Sequence, residues 1–164
     1  MFEPEPLTSD HDLSVFDSGK PPLDDWLRNH ALDIQQRDLG RTFVWTEPAT
    51  HQVVGYFTLI AHSVERATVS ARFGHGLSAQ IPSILIARLA LDRSLQHRKL
   101  GVQLLLDALQ KVAEVSLRVG TRLIVVDAID EEAAKFYEHC GFKRRPGDTR
   151  LLLRVSDVTA LLKQ

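Results

Sequence analysis

The chain has 164 residues, 44% of them apolar, a net charge of −1 with its histidines neutral, and one cysteine. That length is a single domain over residues 1–164, able to bury roughly 70% of the surface its unfolded chain exposes. The lone Cys140 excludes an internal disulfide framework, the absence of a long apolar span or charged leader reads as a cytoplasmic protein with no membrane insertion, and a charge near zero gives no global pull toward polyanions.

Met1 to Asp10, with Pro4 and Pro6 among acidic residues, reads as an edge strand or an arm. Ser14 to Ser18 is a short turn. Lys20-Pro-Pro-Leu-Asp-Asp-Trp-Leu27 opens a helix with proline at its start and acids in its first turn. Leu23, Trp26, Leu27, His30, Ala31 and Ile34 keep helical spacing, and the helix is expected to end near Gly40. Arg41 to Glu47 and Gln52 to Val64 are strands around a turn at Pro48 to His51, an antiparallel hairpin. Gly55 inside the second strand signals a close backbone approach or a bulge. Ala67 to Ile81 is polar, holds Gly74 and Gly76, precedes Pro82, and reads as a loop.

From Ile84 the hydrophobic period changes at one point. Ile84 to Leu91 is a nearly continuous apolar run interrupted by Arg88, as suits a strand buried on both faces. Beyond a polar turn, Gly101, Leu104, Leu105, Ala108, Leu109, Val112 and Val115 repeat at three and four residues, one face of an amphipathic helix. The turn Gln96 to Gly101 directs the first N–H groups of that helix outward beside positive side chains, which makes an anion site. Thr121 to Ala128 is another buried-type strand, so strand, helix and strand form a βαβ unit with parallel pairing. Asp130 caps a helix from Glu131 to His139 that Gly141 ends. Phe142 to Arg145 and Thr149 to Val155 read as a last hairpin around Pro146-Gly147, and Ser156 opens a terminal helix.

Leu89-Ala-Leu-Asp-Arg-Ser-Leu-Gln-His-Arg-Lys-Leu-Gly-Val102 resembles the acetyl-CoA signature of GNAT N-acetyltransferases. Gln96 and Gly101 match that pattern, while Lys99 stands in the place of its first glycine. Ala133-Ala-Lys-Phe-Tyr-Glu-His-Cys-Gly-Phe142 resembles a second element of the family, in the right order and at the right separation. Phe16 to Leu27, Arg41 to Val44 and Ile86 to Asp92 further resemble the GNAT toxins of type II toxin-antitoxin modules. The resemblance implies an α/β acyl-CoA N-acyltransferase fold: a mixed, mostly antiparallel sheet that splays at a central parallel pair, with helices on both faces. It also implies acetylation of the α-amino group of aminoacyl-tRNA with acetyl-CoA as cosubstrate, a block of translation, a homodimer, and a small ribbon-helix-helix antitoxin as partner. A housekeeping acetyltransferase of a small amine or a protein N-terminus, and a non-catalytic CoA-binding module, stay open at this stage.

The same resemblance lays the pantetheine arm along Leu89, Ala90 and Leu91, and the pyrophosphate on Gln96, His97, Arg98, Lys99, Leu100, Gly101 and Val102. Lys99 either crowds that approach or adds a phosphate contact, and glycine is required there only if the backbone sits at positive φ or lies against the ligand. Tyr137 is the candidate general acid, protonated at neutral pH with an ordinary pKa near ~10 and facing a thiolate near ~8.5. No general base stands out, which favours an α-amine that titrates near ~8 over a lysine near ~10.4. The histidines have no partner at metal-ligand spacing, so no metal is expected. Arg41, Arg72 and Arg88 are the candidates for holding tRNA phosphates.

Overall fold

The structure, a computed structural model, describes residues 1–162. In chain order it has β1 (Glu5–Pro6), α1 (Pro21–Asn29), α2 (Ala31–Gln36), β2 (Arg41–Thr46), β3 (Val53–Glu65), α3 (Ala71–Gly74), β4 (Gln80–Leu91), α4 (Leu100–Ser116), β5 (Leu123–Asp127), α5 (Glu131–His139), β6 (Arg150–Arg154) and α6 (Val155–Leu162). Single 3₁₀ turns fall at Arg66–Thr68 and Arg93–Leu95. The strands stand in chain order in one mixed sheet, β1-β2-β3-β4-β5-β6. Two compact units divide the chain, the first made of Met1–Ile60 and Ala87–Ala108, the second of Ala61–Ile86 and the chain from Leu109 onward.

In the first unit β2 and β3 form the expected antiparallel hairpin, from Arg41↔Leu59 to Trp45↔Gly55, after which the register jumps to Thr46↔Val53. Val54 is therefore the extra residue of a bulge. A Cβ on Gly55 would stand 3.4 Å from both Trp45 Cε3 and Leu91 Cδ1, ordinary contact distance, so the bulge rather than close approach marks this stretch. Trp45 is fully buried and donates from Nε1 to Asp107 Oδ2 at 2.8 Å, which ties α4 to β2. The N-terminal segment is an edge strand: Glu5 and Pro6 pair with Val44 and Phe43. The helix expected to run to Gly40 is broken at His30, where φ is −130° and ψ −29°, and its second half stops at Gln36. Apolar spacing carries no mark of the break, because Ile34 N still bonds His30 O at 2.9 Å and Leu27 and Ala31 on either side enter one apolar cluster.

In the second unit β4 and β5 pair in parallel from Ser83↔Leu123 to Ile86↔Val126. That register stops there, and Ala87 to Leu91 continue without β5, which is the expected splay. β6 closes the other side of β5 antiparallel, from Leu123↔Arg154 to Asp127↔Arg150. Leu123 to Val126 are all buried between these neighbours, the environment that a continuous apolar run demands. Asp130 Oδ1 accepts from Ala133 N at 2.8 Å and caps α5. Past its end Gly141 takes φ 104°, letting Phe142 N reach Tyr137 O at 3.0 Å.

Two expectations change here. The segment read as a loop to Ile81 contains α3, anchored by buried Phe73, and β4 begins at Gln80 with Pro82 inside it. Proline is tolerated because its carbonyl, not its missing N–H, makes the link, accepting from Arg122 N at 2.8 Å. The last hairpin has one strand only, since Phe142 to Arg145 contribute a single bridge, Lys143↔Leu152, before the chain turns through Gly147 at φ 80°.

Candidate active site

The turn between β4 and α4 is built from its own side chains. Asp92 accepts from Ser94 N at 3.0 Å and from Asp17 N at 2.9 Å. Gln96 Nε2 donates to Leu91 O and to Ser18 O, each at 2.8 Å. The Gln96 amide is thus spent on fastening the end of β4 and the N-terminal segment to the turn, so it positions the loop, while the residues after it face outward. His97 and Lys99 sit at φ 62° and 61°, the left-handed region, and Lys99 does so at the very position where the family signature has glycine. Such backbone costs a non-glycine residue about ~1–2 kcal/mol. The two reversals curl the chain into the start of α4, where the first N–H groups of Leu100, Gly101, Val102 and Gln103 have no acceptor within the helix. The side chains of His97, Arg98 and Lys99 are exposed, Leu100 and Gly101 are half-buried, and Val102 is exposed at the rim. A positive helix end with three basic neighbours fits the phosphates of a CoA ester. Ala90 and Leu91 are buried and Leu89 half-buried on the part of β4 that has left β5.

The two tyrosines of the chain differ in what their hydroxyls do. Tyr56 is fully buried, its ring stacked on Trp26, and it donates to Leu23 O at 2.7 Å. Tyr137 is 7% exposed on α5, held edge-on by Phe136 and Phe142 with centroids at 5.3 and 5.5 Å. Its hydroxyl has no hydrogen-bond partner among the described residues, and no fully occluded side-chain oxygen there goes unpartnered, so the Tyr137 oxygen keeps access to solvent. Burial pushes its pKa above the ordinary tyrosine range. It remains a proton donor across the whole neutral range.

The three arginines part company. Arg41 is committed to the turn before β2, with Asp38 Oδ1 at 2.8 Å and the Gly40 carbonyl at 3.1 Å. Arg88 lies 4.9 Å over the Trp26 ring and donates to Ala87 O at 2.7 Å, a cation–π contact that ties β4 to α1. Arg72 is exposed on α3 beside its neighbour Phe73 and has no carboxylate partner among the described residues. Arg41 and Arg88 belong to the first unit and Arg72 to the second, as does Tyr137.

Sequence reading passed over the cations of Phe142-Lys-Arg-Arg145, because it assigned them to a strand. Arg144 is paired with Glu131 and Glu138, while Lys143 and Arg145 are exposed. It also missed a fork in which Arg150 holds both oxygens of Asp127 at 2.8 and 2.9 Å and approaches His62 Nε2 at 3.4 Å. The Arg150 hydrogen bonds hold the Asp127 pKa low, and burial with Arg150 lowers that of His62. Burial raises the Cys140 thiol, which makes it a poor nucleophile at neutral pH. Among the described residues no group of His, Cys, Asp or Glu side chains is arranged to hold a metal ion, and no helix is long and apolar enough to cross a membrane.

Residues 38–144 match the acetyltransferase (GNAT) domain family. A relative from Mycobacterium tuberculosis named tRNA-acetylating toxin is 36% identical over 160 residues, 97% of this chain and 95% of its own. Among solved structures, AtaT complexed with acetyl-methionyl-tRNAfMet is similar with a TM-score of 0.89 at 30% identity, covering 99% of each chain. A tyrosine-to-phenylalanine mutant of AtaT, bound to acetyl-CoA and the C-terminus of the antitoxin AtaR, is similar with a TM-score of 0.84 at 31% identity, covering 99% of each chain.

Proposed function

This chain belongs to the GNAT acetyltransferase family, and on that premise we propose that it is a toxin that acetylates the α-amino group of aminoacyl-tRNA and stops translation. The observation that carries the acceptor is the likeness, along 97% of the chain, to a protein named tRNA-acetylating toxin, together with that to AtaT complexed with acetyl-methionyl-tRNAfMet. The observation that supports the acid is the hydroxyl of Tyr137, which has no hydrogen-bond partner among the described residues, whereas that of Tyr56 is spent on Leu23 O.

In this reading the α4 N-terminus, with Arg98 and Lys99, holds the pyrophosphate of acetyl-CoA, and the end of β4 at Leu89 to Leu91 runs beside the pantetheine arm and offers a backbone N–H to the thioester oxygen. The neutral amine nitrogen bonds to the carbonyl carbon, the C–S bond breaks, the surplus amine proton leaves to solvent, and Tyr137 protonates the departing sulfur. Burial makes Tyr137 a weaker acid, but it raises a thiolate formed in the same dry surroundings too, as it does the Cys140 thiol, so the transfer stays balanced. An α-amine near ~8 is partly neutral at pH 7 and needs no general base.

A cytoplasmic homodimer neutralised by a small ribbon-helix-helix antitoxin completes the proposal; of these, the antitoxin partner is supported by the AtaT relative bound to its antitoxin's C-terminus. The test is radiolabelled acetyl transfer to charged and deacylated tRNA with a free amino acid and a peptide amine as competitors. Label confined to charged tRNA is expected. Label on the free amine or peptide with none on charged tRNA would replace the toxin by a housekeeping enzyme.

A further inference from the structure

Within the second unit, a half-open cavity of about 730 Å³ lies between α3 and the turn that joins α5 to β6. Its volume falls in the range where a small ligand is held whole rather than a single ion. Five cationic side chains line it against two carboxylates, in a chain whose net charge is −1. Of the carboxylates, Asp127 is held by the Arg150 fork, while Asp148 is exposed and accepts from Arg150 N at 3.1 Å. Arg150 and Arg144 are likewise paired with carboxylates. What remains is Arg72, Lys143 and Arg145, all exposed and without a carboxylate partner among the described residues. Exposed Pro146 adds apolar surface to the lining, and buried Phe73 forms part of its floor.

We propose that this cavity binds the acceptor end of the tRNA substrate, its phosphates held by Arg72, Lys143 and Arg145 and a base or ribose laid against the exposed Pro146. The inference rests on the aminoacyl-tRNA reading given above. Cations without a carboxylate partner beside an exposed proline match a single strand of nucleic acid, in which phosphate charge and apolar base alternate. Five cations against two carboxylates leave the lining net positive, which disfavours a cationic ligand. The cavity also adjoins the candidate acid along the chain: Phe142, whose ring packs on Tyr137 at 5.5 Å, is followed directly by Lys143. Backbone bonds between Lys143 and Leu152, at 2.8 and 2.9 Å, hold that residue in place whatever its side chain.

The test compares wild type with Arg72→Ala, Lys143→Ala, Arg145→Ala and the triple variant, and includes Arg145→Lys as a charge-keeping control. Each is measured for acetyl-CoA affinity by calorimetry, antitoxin affinity, and steady-state acetylation of charged tRNA across a salt series. Each alanine should raise KM for tRNA by about fivefold to tenfold with kcat nearly unchanged, and should flatten the log-log salt slope by roughly ~0.7 to ~0.9. Arg145→Lys should keep the slope, and acetyl-CoA affinity should not move. A wild type that acetylates tRNA beside a triple variant with the same KM and slope overturns this proposal and leaves the function standing. A wild type that labels no charged tRNA overturns both. Loss of antitoxin binding with tRNA kinetics intact would give the cavity to an acidic peptide instead.

Discussion

Replacing each tyrosine by phenylalanine separates structure from chemistry, because the two hydroxyls have opposite surroundings. Tyr56→Phe deletes a 2.7 Å hydrogen bond to Leu23 O inside a packed cluster. A buried neutral bond of that kind contributes about ~1–2 kcal/mol, and at this chain length ~1 kcal/mol moves the melting midpoint by roughly 2–4 °C, so a drop of about 2–8 °C is expected. Tyr137→Phe deletes an oxygen with no partner among the described residues and leaves both ring contacts in place, so its midpoint should stay within about 2 °C of wild type. The order reverses in single-turnover acetyl transfer. Losing the proton donor should slow the step by about ~10²-fold to ~10⁴-fold, or ~3–5 kcal/mol of barrier, with acetyl-CoA affinity unchanged. Tyr56→Phe should transfer at nearly the wild-type rate once folded. If Tyr137→Phe melted as low as Tyr56→Phe while turning over normally, the Tyr137 hydroxyl would be a structural group and the assignment of the acid would be wrong.

Lys99→Gly should raise the melting midpoint by about 2–4 °C through release of left-handed strain, whereas Lys99→Ala, which keeps φ 61° unfavourable, should not; equal midpoints for the two would show that no strain resides there. Gly101→Glu, with bulk and negative charge at the start of α4, should abolish acetyl-CoA binding, and native affinity by calorimetry would remove the phosphates from this turn. The transfer rate should rise with pH as the α-amine deprotonates near ~8 and show no falling limb up to ~10, since burial raises the Tyr137 pKa; an early alkaline fall would implicate another acid. Asp127 and His62 both have lowered pKa values in the fold, so each takes up its proton more readily when unfolded, and stability should be constant above pH ~6.5, decline as His62 protonates, and decline again below ~4 as Asp127 does. Asp127→Asn with an unchanged acid limb in urea titrations would exclude the Arg150 fork as a contributor.

Much of the fold was legible because its signals are local. The period change after Leu91, the Asp130 cap, Gly141 and Gly55 each dictate a backbone event within a few residues. The break at His30 was not, since helical spacing continues through it and both sides bury into one cluster. Gln80 and Ile81 read as loop because a polar start and a following proline hide a strand whose links run through Pro82 O to Arg122. For the candidate site, the turn and Tyr137 came from motif resemblance, but their physical state did not. Positive φ at Lys99, the spent amide of Gln96 and the unspent hydroxyl of Tyr137 depend on partners far along the chain. The cations at 143 and 145 were obscured by treating as strand a segment that contributes one bridge.

The bond from Gln96 to Ser18 spans 78 residues, and it bears on the order of events in folding. Helix α4 and the hairpin can assemble from neighbours in sequence, but the turn between β4 and α4 is finished only when the N-terminal segment has come home. Ser18 is itself secured by Asp24, whose carboxylate is 5% exposed and accepts from Ser18 Oγ at 2.6 Å and Ser18 N at 3.1 Å. Competence to bind acetyl-CoA should therefore arrive after the bulk of secondary structure, and in refolding the quench of a fluorescent CoA analogue should lag far-UV ellipticity. Asp24→Ala should lengthen that lag while leaving the early ellipticity phase alone, since it loosens the last clasp rather than the elements it joins.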